Sequence, residues 1–328
     1  MPMLMSSSDN ERVIMTTTNQ RVPQWRKIGK PVGAAMTAQD AIKLGGLDFT
    51  VRVSEQAVST VVDGQTLTID NKFITYAEFG KKLQPLGVVG NRYTPIQNKD
   101  AFDMLNNIVD ESGANYDSAG IINGGARCYI TMKMPQSVQV AGGADVIDTY
   151  LNCFNSHDGS SSFRIQVAFL RQICTNGLTG MVGGSSVTLR HTESATLKVQ
   201  EARDALSIVF KQQEQFEIEV QRLLDTKMTD NEYKKFIEVL IPEPKGEATE
   251  RKQNSVGRVR GELMGLWRAD TQAIVKNTRW AAYNAVAEYV DWFKPVRGSA
   301  ENKDSLRAER RLTGESSLKS RAHELLSA

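Results

Sequence analysis

Two neighbouring stretches decide the fold expected for the first half of the chain: "LDFTVRVSEQAVST" at residues 47–60 and "QTLTIDNKFITYAEFG" at residues 65–80. In both, apolar and polar side chains alternate with the two-residue period of a strand that buries one face. Asp63-Gly64 lies between them, and this dipeptide is typical of a tight hairpin turn because both residues tolerate a positive φ. The pair is therefore predicted to form an antiparallel hairpin.

Short apolar runs separated by glycine pairs continue to about residue 190, and they predict further strands. Beyond that point the apolar spacing changes to a helical period, and residues 194–228 are predicted to form one long helix. The predicted fold class is α+β: an antiparallel sheet-rich N-terminal unit with helices, followed by a mostly helical C-terminal half. One stripe with helical spacing is predicted to belong to the core: Trp280, Tyr283, Ala287 and Val290.

Composition divides the chain into four segments. A polar start rich in Ser, Thr and Asn predicts a flexible N-terminal arm over residues 1–35. The strand patterns place an α+β sheet core at 36–193, and a helical region follows at 194–297. The charged stretch 298–328 is predicted to be a tail of loosely held helices, and its ordering against another subunit is left open.

Bulk composition narrows the class of protein. The 328 residues are 40% hydrophobic and 24% charged, which is ordinary for a soluble protein. No apolar run reaches the length of about 18 residues that a membrane span needs. The N-terminal residues lack the pattern of a secretory signal, and three cysteines without CxxC spacing favour a reducing compartment. These features predict a cytoplasmic protein without a membrane partner.

Charge is distributed unevenly although the net charge is only +2. Residues 191–250 hold 8 Lys and Arg against 13 Asp and Glu, which gives −5. Residues 251–328 hold 15 against 9, which gives +6. This asymmetry is compatible with a phosphate-binding face, with like subunits that pack acidic against basic, and with helices that merely differ in their solvated charges.

The stretch "LRQICTNGLTG" at residues 170–180 looks at first like a reactive turn around Cys174. A catalytic thiol needs a pKa lowered by a cation, a helix N-terminus or a histidine such as His157 or His191. Cys174 instead follows an apolar run that is typical of a core strand. We therefore predict a structural cysteine, followed by a tight turn at Asn176-Gly177.

Catalytic and metal-binding signatures are missing from the sequence. Cys153 and His157 are four residues apart, but the second ligand pair of a structural zinc site is lacking. The glycine-rich stretches lack the lysine and hydroxyl of a phosphate-binding loop, so their glycines are predicted to mark bulges or hairpin turns. Hence neither an enzymatic activity nor a metal or cofactor is predicted.

Basic residues interleaved with aromatic ones form the broadest functional pattern. In single-strand binders, cations follow the phosphates while aromatic rings stack on bases. In "RHTES" at residues 190–194, Arg190 and His191 precede a predicted helix N-terminus, which favours an anion; an N-cap with a packed histidine is the alternative. The predicted nucleic-acid-binding residues are Arg26, Lys27, Lys30, Lys81, Lys82, Arg92, Arg190, His191, Arg251, Arg258, Arg260 and Arg268.

Five motifs in a fixed order carry a family resemblance: "GLDFTVRV", "LGVVGNRYTPIQNKDAFDML", "FLRQICTNGL", "LRHTES" and "WAAYNAVAEYVDWF". As a set they resemble the domain-of-unknown-function family of bacteriophages, prophages and plasmids that is often called phage/plasmid-related proteins. The resemblance covers roughly residues 40–295. It implies a bacterial cytoplasm and a role in mobile-element DNA metabolism or in defence evasion.

Two functions from different classes follow as hypotheses. The first is a single-stranded DNA-binding or annealing protein that acts in recombination as a homo-oligomer. The alternative is an interaction factor that blocks a host defence or regulatory protein, and an enzyme with a site around Arg190, His191 and the Cys174 loop comes third. The first hypothesis requires that widely separated basic side chains converge into a continuous track for a polyanion. If they are dispersed or paired with carboxylates, the protein-binding role takes its place.

Overall fold

The computed structural model describes residues 23–161, 163–178, 181, 186–188, 195–244, 250–297, 303–313 and 316–328. A sheet-rich N-terminal half and a helical C-terminal half confirm the predicted α+β class. The strands are β1 (Lys30–Pro31), β2 (Thr50–Val62), β3 (Gln65–Phe79), β4 (Lys82–Gly90), β5 (Asn115–Ile122), β6 (Arg127–Val140), β7 (Asp145–Ser156), β8 (Arg164–Arg171), β9 (Asn176–Gly177) and β10 (Ser186–Thr188). The α-helices are α1 (Gln24–Ile28), α2 (Ala38–Gly45), α3 (Asn98–Phe102), α4 (Leu105–Ser112), α5 (Ala195–Asp225), α6 (Asp230–Leu240), α7 (Glu250–Trp267), α8 (Arg279–Glu288), α9 (Lys303–Thr313) and α10 (Ser317–Ser327).

The strands form two separate antiparallel sheets. The larger has the order β1-β5-β6-β7-β8-β10, with β9 also paired to β8, and the smaller has the order β2-β3-β4. Short turns at Asn123–Gly125 and Ala141–Gly143 connect β5 to β6 and β6 to β7. Gly124 and Gly142 have φ values of 66° and 68°, which glycine adopts without steric cost. The glycine pairs therefore mark hairpin turns, as predicted.

Helices cover both faces of the larger sheet. Side chains alternate along β8, so neighbouring residues point to opposite faces. On one face, Phe169 stacks on Phe216 of α5 with ring centroids 3.9 Å apart. On the other face, Leu170 belongs to a cluster with Trp25 of α1 and Leu312 of α9. The sheet is thus a middle layer between α5 and the α1–α9 pair.

Three local predictions are confirmed. β2 and β3 form a hairpin around Asp63-Gly64, with Val62 opposite Gln65. α5 is a single helix of 31 residues over most of the predicted range. The stripe predicted to be core is buried: Trp280, Tyr283, Ala287 and Val290.

Residues 23–35 and the C-terminal helices contribute to the folded body. Residues 1–22 of the predicted N-terminal arm lie outside the described residues, whereas Trp25 and Val32 are buried. In the predicted tail, Lys319 of α10 is buried and donates to Asp291 at 2.7 Å and to the carbonyl of Gly177 at 2.6 Å. The tail is therefore fixed to the body by an ion pair as well as by apolar contacts.

A buried ion pair joins the sheet to the helical half. Arg171, the last residue of β8, donates from Nε to both carboxylate oxygens of Asp145 at 2.8 and 2.9 Å, and neither side chain is exposed. Its Nη1 donates to the Thr271 carbonyl and to Gln272 Oε1. Trp280 of α8 donates to Asp145 at 3.2 Å. One guanidinium thus holds β7, β8 and the segment before α8 together.

The turn after β8 differs from the prediction. Asn176 and Gly177 form strand β9, and the left-handed residue is Thr175, with φ 50°. Gly177 pairs with Leu170, and its N–H donates to Asp291 at 2.8 Å. These long-range contacts hold Asn176-Gly177 extended, so the turn occurs before them and the prediction is wrong in position.

Among the described residues, no helix combines the length and the apolar character that crossing a membrane requires.

Glycine substitutions test the packing of two positions. Gly261 lies in the exposed middle of α7, where a Cβ atom would meet nothing within 4 Å. Gly261→Ala is expected to raise the free energy of unfolding by about 1 kcal/mol, because alanine loses less backbone entropy in a helix. At Gly120 a Cβ would lie 2.8 Å from Tyr129 Oη and 2.9 Å from Gly29 Cα. Gly120→Ala should therefore lower the free energy of unfolding. Urea unfolding measures both, and equal effects would contradict the packing described.

Candidate anion-binding site

A cavity of about 690 Å³ opens to solvent at the end of the larger sheet where β6 and β8 begin. Its walls come from these two strands, the loop after β7, the segment that precedes α9, and α9 itself. We call it the arginine cavity. Its charged and hydroxyl-bearing residues are Arg127, Ser160, Ser161, Arg164, Arg297, Glu309 and Arg310.

Arg127 is the first residue of β6, and two carboxylates flank its guanidinium. Nη1 forms an ion pair with Glu309 of α9, while Nε lies 3.7 Å from Asp158. Asp158 is itself held by donors from its own loop, Ser156 Oγ at 2.6 Å and Ser160 N–H at 2.9 Å. The buried Nε of Arg127 has no hydrogen-bond acceptor among the described residues.

Arg164 is the first residue of β8, and an aromatic ring positions it. Its guanidinium carbon lies 5.0 Å from the centroid of the Phe154 ring, a cation–π arrangement that leaves the edge of the guanidinium for other partners. Nε is buried and has no acceptor in the part of the chain that the structure describes. Nor does a carboxylate of that part form an ion pair with Arg164. The residue therefore adds an uncompensated positive charge to the cavity wall.

Positive charge exceeds negative charge throughout this site. Among the described lining residues, four arginines stand against one acidic residue, Glu309. Lys294, just before the lining segment, responds to this excess: burial lowers its pKa, and the nearby Arg310 lowers it further. An anion in the cavity would meet a favourable potential that solvent screens less than on an open surface.

The chemistry of this donor set suits phosphate. A guanidinium presents a planar fork of N–H donors that matches phosphate or carboxylate oxygens in a bidentate manner. Ser160 and Ser161 add hydroxyl groups to the same wall. The cavity can therefore bind and orient an anion.

Four of the predicted nucleic-acid-binding arginines form ion pairs elsewhere. Arg258 and Arg268 lie 2.8 Å from Glu262 and Asp230, respectively. The remaining two pairs are Arg26 with Asp117 and Arg260 with Glu243. Such pairing reduces the charge that these residues offer to a polyanion.

The other predicted residues are spread over several elements, so the described residues do not form the continuous basic track that the DNA-binding hypothesis required. Lys27 of α1 has its Nζ 6.0 Å from the centroid of the Trp292 ring. Lys81 and Lys82 lie at the exposed β3–β4 turn. Arg92 follows β4, exposed Lys30 begins β1, and exposed Arg251 lies in α7. Arg190 and His191 lie outside the described residues, and none of the predicted residues within them lines the arginine cavity.

Sequence reasoning missed the arginines that do line the cavity. Arg127 and Arg164 each follow a glycine- or serine-rich loop at the start of a strand, "NGGAR" and "HDGSSSFR". Arg297 and Arg310 belong to a stretch whose charge resembles that of any solvated tail. An arginine directly after a small-residue loop, at the start of a predicted strand, is the signal that could have found two of the four.

The other candidate chemistries take a structural form. Cys174 is buried, and burial raises its pKa to about 11, so the prediction of a structural cysteine is confirmed. His157 is also buried; burial lowers its pKa to about 4, and its Nε2 lies 3.0 Å from Asn98 Oδ1. Within the described ranges, no group of His, Cys, Asp and Glu is arranged to hold a metal ion.

Comparison with known proteins identifies a family. The family model described as "Domain of unknown function (DUF932)" matches residues 85–312, which is more than two thirds of the chain. All four arginines of the cavity fall within the match. No curated protein and no solved structure matches the chain.

Thiol reactivity tests the burial of the cysteines. Burial raises the pKa of Cys174 to about 11 and that of Cys128 to about 12, and it also raises the pKa of Cys153. At pH 8 the folded protein should therefore react with a disulfide reagent far more slowly than the unfolded chain, which should expose all three thiols. Because the folded state retains these protons, the free energy of unfolding should fall as the pH rises above the ordinary thiol pKa. Rapid reaction of one thiol in the folded protein would contradict this assignment.

Proposed function

We propose that this chain, which belongs to the DUF932 family, binds single-stranded DNA by holding a backbone phosphate in the arginine cavity. The basic track that the sequence predicts is dispersed and partly paired with carboxylates, so the proposal rests instead on the composition of the arginine cavity. Four arginines line it with Glu309, Asp158 approaches Arg127 from outside the lining, and the Nε atoms of Arg127 and Arg164 lack acceptors among the described residues. A phosphodiester brings a negative charge and several acceptor oxygens to such donors.

Aromatic residues next to the cavity favour a nucleic acid strand over free phosphate. Phe293 is 43% exposed and lies two residues before Pro295, which lines the cavity. Trp292 is its neighbour and has the Nζ of Lys27 above its ring. In a single strand the base faces are accessible for stacking on such rings, whereas a duplex hides them. The combination therefore fits a strand whose phosphate enters the cavity and whose bases reach the rings.

The wider role we propose is strand annealing in the recombination of bacteriophages or plasmids, in a bacterial cytoplasm and as a homo-oligomer. The resemblance to phage/plasmid-related proteins supports this setting. Annealing forms no covalent bond: the protein holds phosphates, leaves base edges exposed and lets base pairing supply the specificity. A site that binds and orients a backbone phosphate is sufficient for that role.

A protein-interaction factor is the second candidate. Exposed apolar side chains on the β2–β3 hairpin favour it, since such patches mark contact surfaces. The ion pairs of Arg26, Arg258, Arg260 and Arg268 also weaken the basic track that the sequence predicts. Salt separates the two candidates, because phosphate binding releases counterions and weakens steeply with added salt.

Replacing Arg164 or Arg297 with glutamine should weaken binding of a fluorescent single-stranded oligonucleotide by about tenfold to a hundredfold. The reason is that a hydrogen bond to a charged group contributes about 1.5–3 kcal/mol. Each variant should also reduce the slope of log affinity against log salt by about 0.7. Fluorescence anisotropy at several salt concentrations measures both quantities.

Arg268→Gln is the matched control for these variants. It removes the same charge from an exposed arginine that pairs with Asp230 outside the cavity, so its affinity should stay near that of the unchanged protein. Circular dichroism verifies that each variant is folded. If Arg268→Gln loses as much affinity as the cavity variants, or if the unchanged protein fails to bind at low salt, the proposal is wrong.

A further inference from the structure

The outer part of the β2–β3 hairpin extends without support from the rest of the described chain. β4 pairs with β3 only as far as Lys72, opposite Gly90, so residues 54–72 form a two-stranded segment, which we call the ribbon. Residues 59–72 are all exposed. An isolated two-stranded hairpin is marginally stable in water. The ribbon therefore gains from a partner that covers it.

One face of the ribbon carries an apolar stripe. Leu67 pairs with Thr60, and Val62 pairs with Gln65, so Val62 and Leu67 share a face. Ile69 lies two residues after Leu67 and points the same way. Val62, Leu67 and Ile69 are 48%, 53% and 60% exposed. Three large apolar side chains in a row on an exposed strand pair indicate a contact surface.

Charge selects among the possible partners of this face. The ribbon carries Glu55, Asp63 and Asp70 against Lys72, which gives a net charge of −2. Two ribbons side by side would bring these carboxylates together, and like charges across neighbouring strands are destabilising. The same carboxylates repel DNA phosphates. The partner surface must therefore be basic.

The chain itself offers such a surface in the first half of α7. Residues 250–258 carry Arg251, Lys252 and Arg258 against Glu250, which gives +2. Arg258 pairs with Glu262, so Arg251 and Lys252 supply the positive charge of this surface that is unpaired among the described residues. Apart from a half-buried Val256 these residues are exposed, and the first buried residue of α7 is Leu263. Lysine and arginine can cover apolar side chains with their aliphatic stems while their charged ends reach carboxylates. The ribbon and this half-helix are thus complementary in charge, and both are largely exposed in the described chain.

We propose that the ribbon of one copy docks on the first half of α7 of a second copy of this chain. The two surfaces differ, so the contact is heterologous, and a pair of copies keeps one free α7 surface on the first copy and one free ribbon on the second. Repetition of such a contact builds a ring if the rotation closes and a filament if it does not. This inference goes beyond DNA binding and does not depend on it.

Cysteine cross-linking between two variants tests the contact directly. The native cysteines are buried, so introduced surface cysteines are the reactive ones. Thr60→Cys lies on the apolar face of the ribbon, and Ser255→Cys lies on the exposed half of α7. The two purified full-length variants, one of them carrying a mass tag, are mixed and treated with a short bismaleimide, with and without a single-stranded oligonucleotide. The expected product is the mixed dimer.

A third variant supplies the matched control. Gln221→Cys lies on α5, a helix whose exposed face is acidic, and mixing it with Thr60→Cys should give no mixed dimer above background. A Thr60→Cys mixture that yields only ribbon-to-ribbon dimers would overturn the proposal. So would a chain that stays monomeric in sedimentation under both conditions.

Charge exchange provides a second measurement. Asp70→Arg alone and Arg251→Glu alone should each weaken self-association about tenfold or more. An equal mixture of the two should recover association, because the ribbon of the Asp70→Arg variant then meets the α7 surface of the Arg251→Glu variant with opposite charges. Failure of the mixture to recover any association would also overturn the proposal. Arg164→Gln should lose DNA affinity and keep self-association, whereas Leu67→Ser should keep DNA affinity and lose self-association. DNA affinity is measured with an oligonucleotide of about 16 nucleotides, which is short enough to bind one copy. The two proposals can therefore fail separately.

Discussion

The buried ion pair between Arg171 and Asp145 is the constraint on which the rest of the structure depends. A charge without a partner in a protein interior costs several kcal/mol, about 3–5 when one member of a buried pair is removed. Arg171 ends β8 and Asp145 begins β7, so the ion pair fixes the position of these two strands relative to each other at this end of the sheet. The contacts of Arg171 with Thr271 and Gln272, and of Trp280 with Asp145, add the helical half to the same requirement. Sheet and helices are thus positioned by one desolvated charge pair.

The position of the arginine cavity follows from this register. β7 and β8 are antiparallel, so fixing one end of the pair also fixes the other end, about 24 Å away for a strand of this length. At that far end lie Arg164 and the loop that carries Ser160. Arg171 and Arg164 are seven residues apart and point to opposite faces of the sheet. The first is compensated by a carboxylate, whereas the second rests on the ring of Phe154 and leaves Nε without a described acceptor.

The parts of the fold that could be predicted from sequence depend on local signals. The Asp63-Gly64 hairpin and the long helix α5 each follow from a periodicity or a turn within a few residues. The cavity could not be predicted in this way, because Arg127 and Arg310 lie far apart in sequence and meet only through the topology of the sheet and α9. The same limitation affected the predicted basic track. Arg26 pairs with Asp117, and no spacing rule connects two residues so distant in the chain.

Charge also keeps the two proposed contacts of the molecule separate. Exposed strand pairs with apolar side chains tend to associate with any similar edge, and natural proteins limit this tendency with charged residues. Asp63 and Asp70 serve that purpose on the ribbon, since they disfavour pairing between two ribbons and repel a phosphate backbone. The arginine cavity attracts the ligand that the ribbon repels. The two proposed contacts therefore use different surfaces of opposite charge, so a strand of DNA and a neighbouring copy of the chain would not compete for one site.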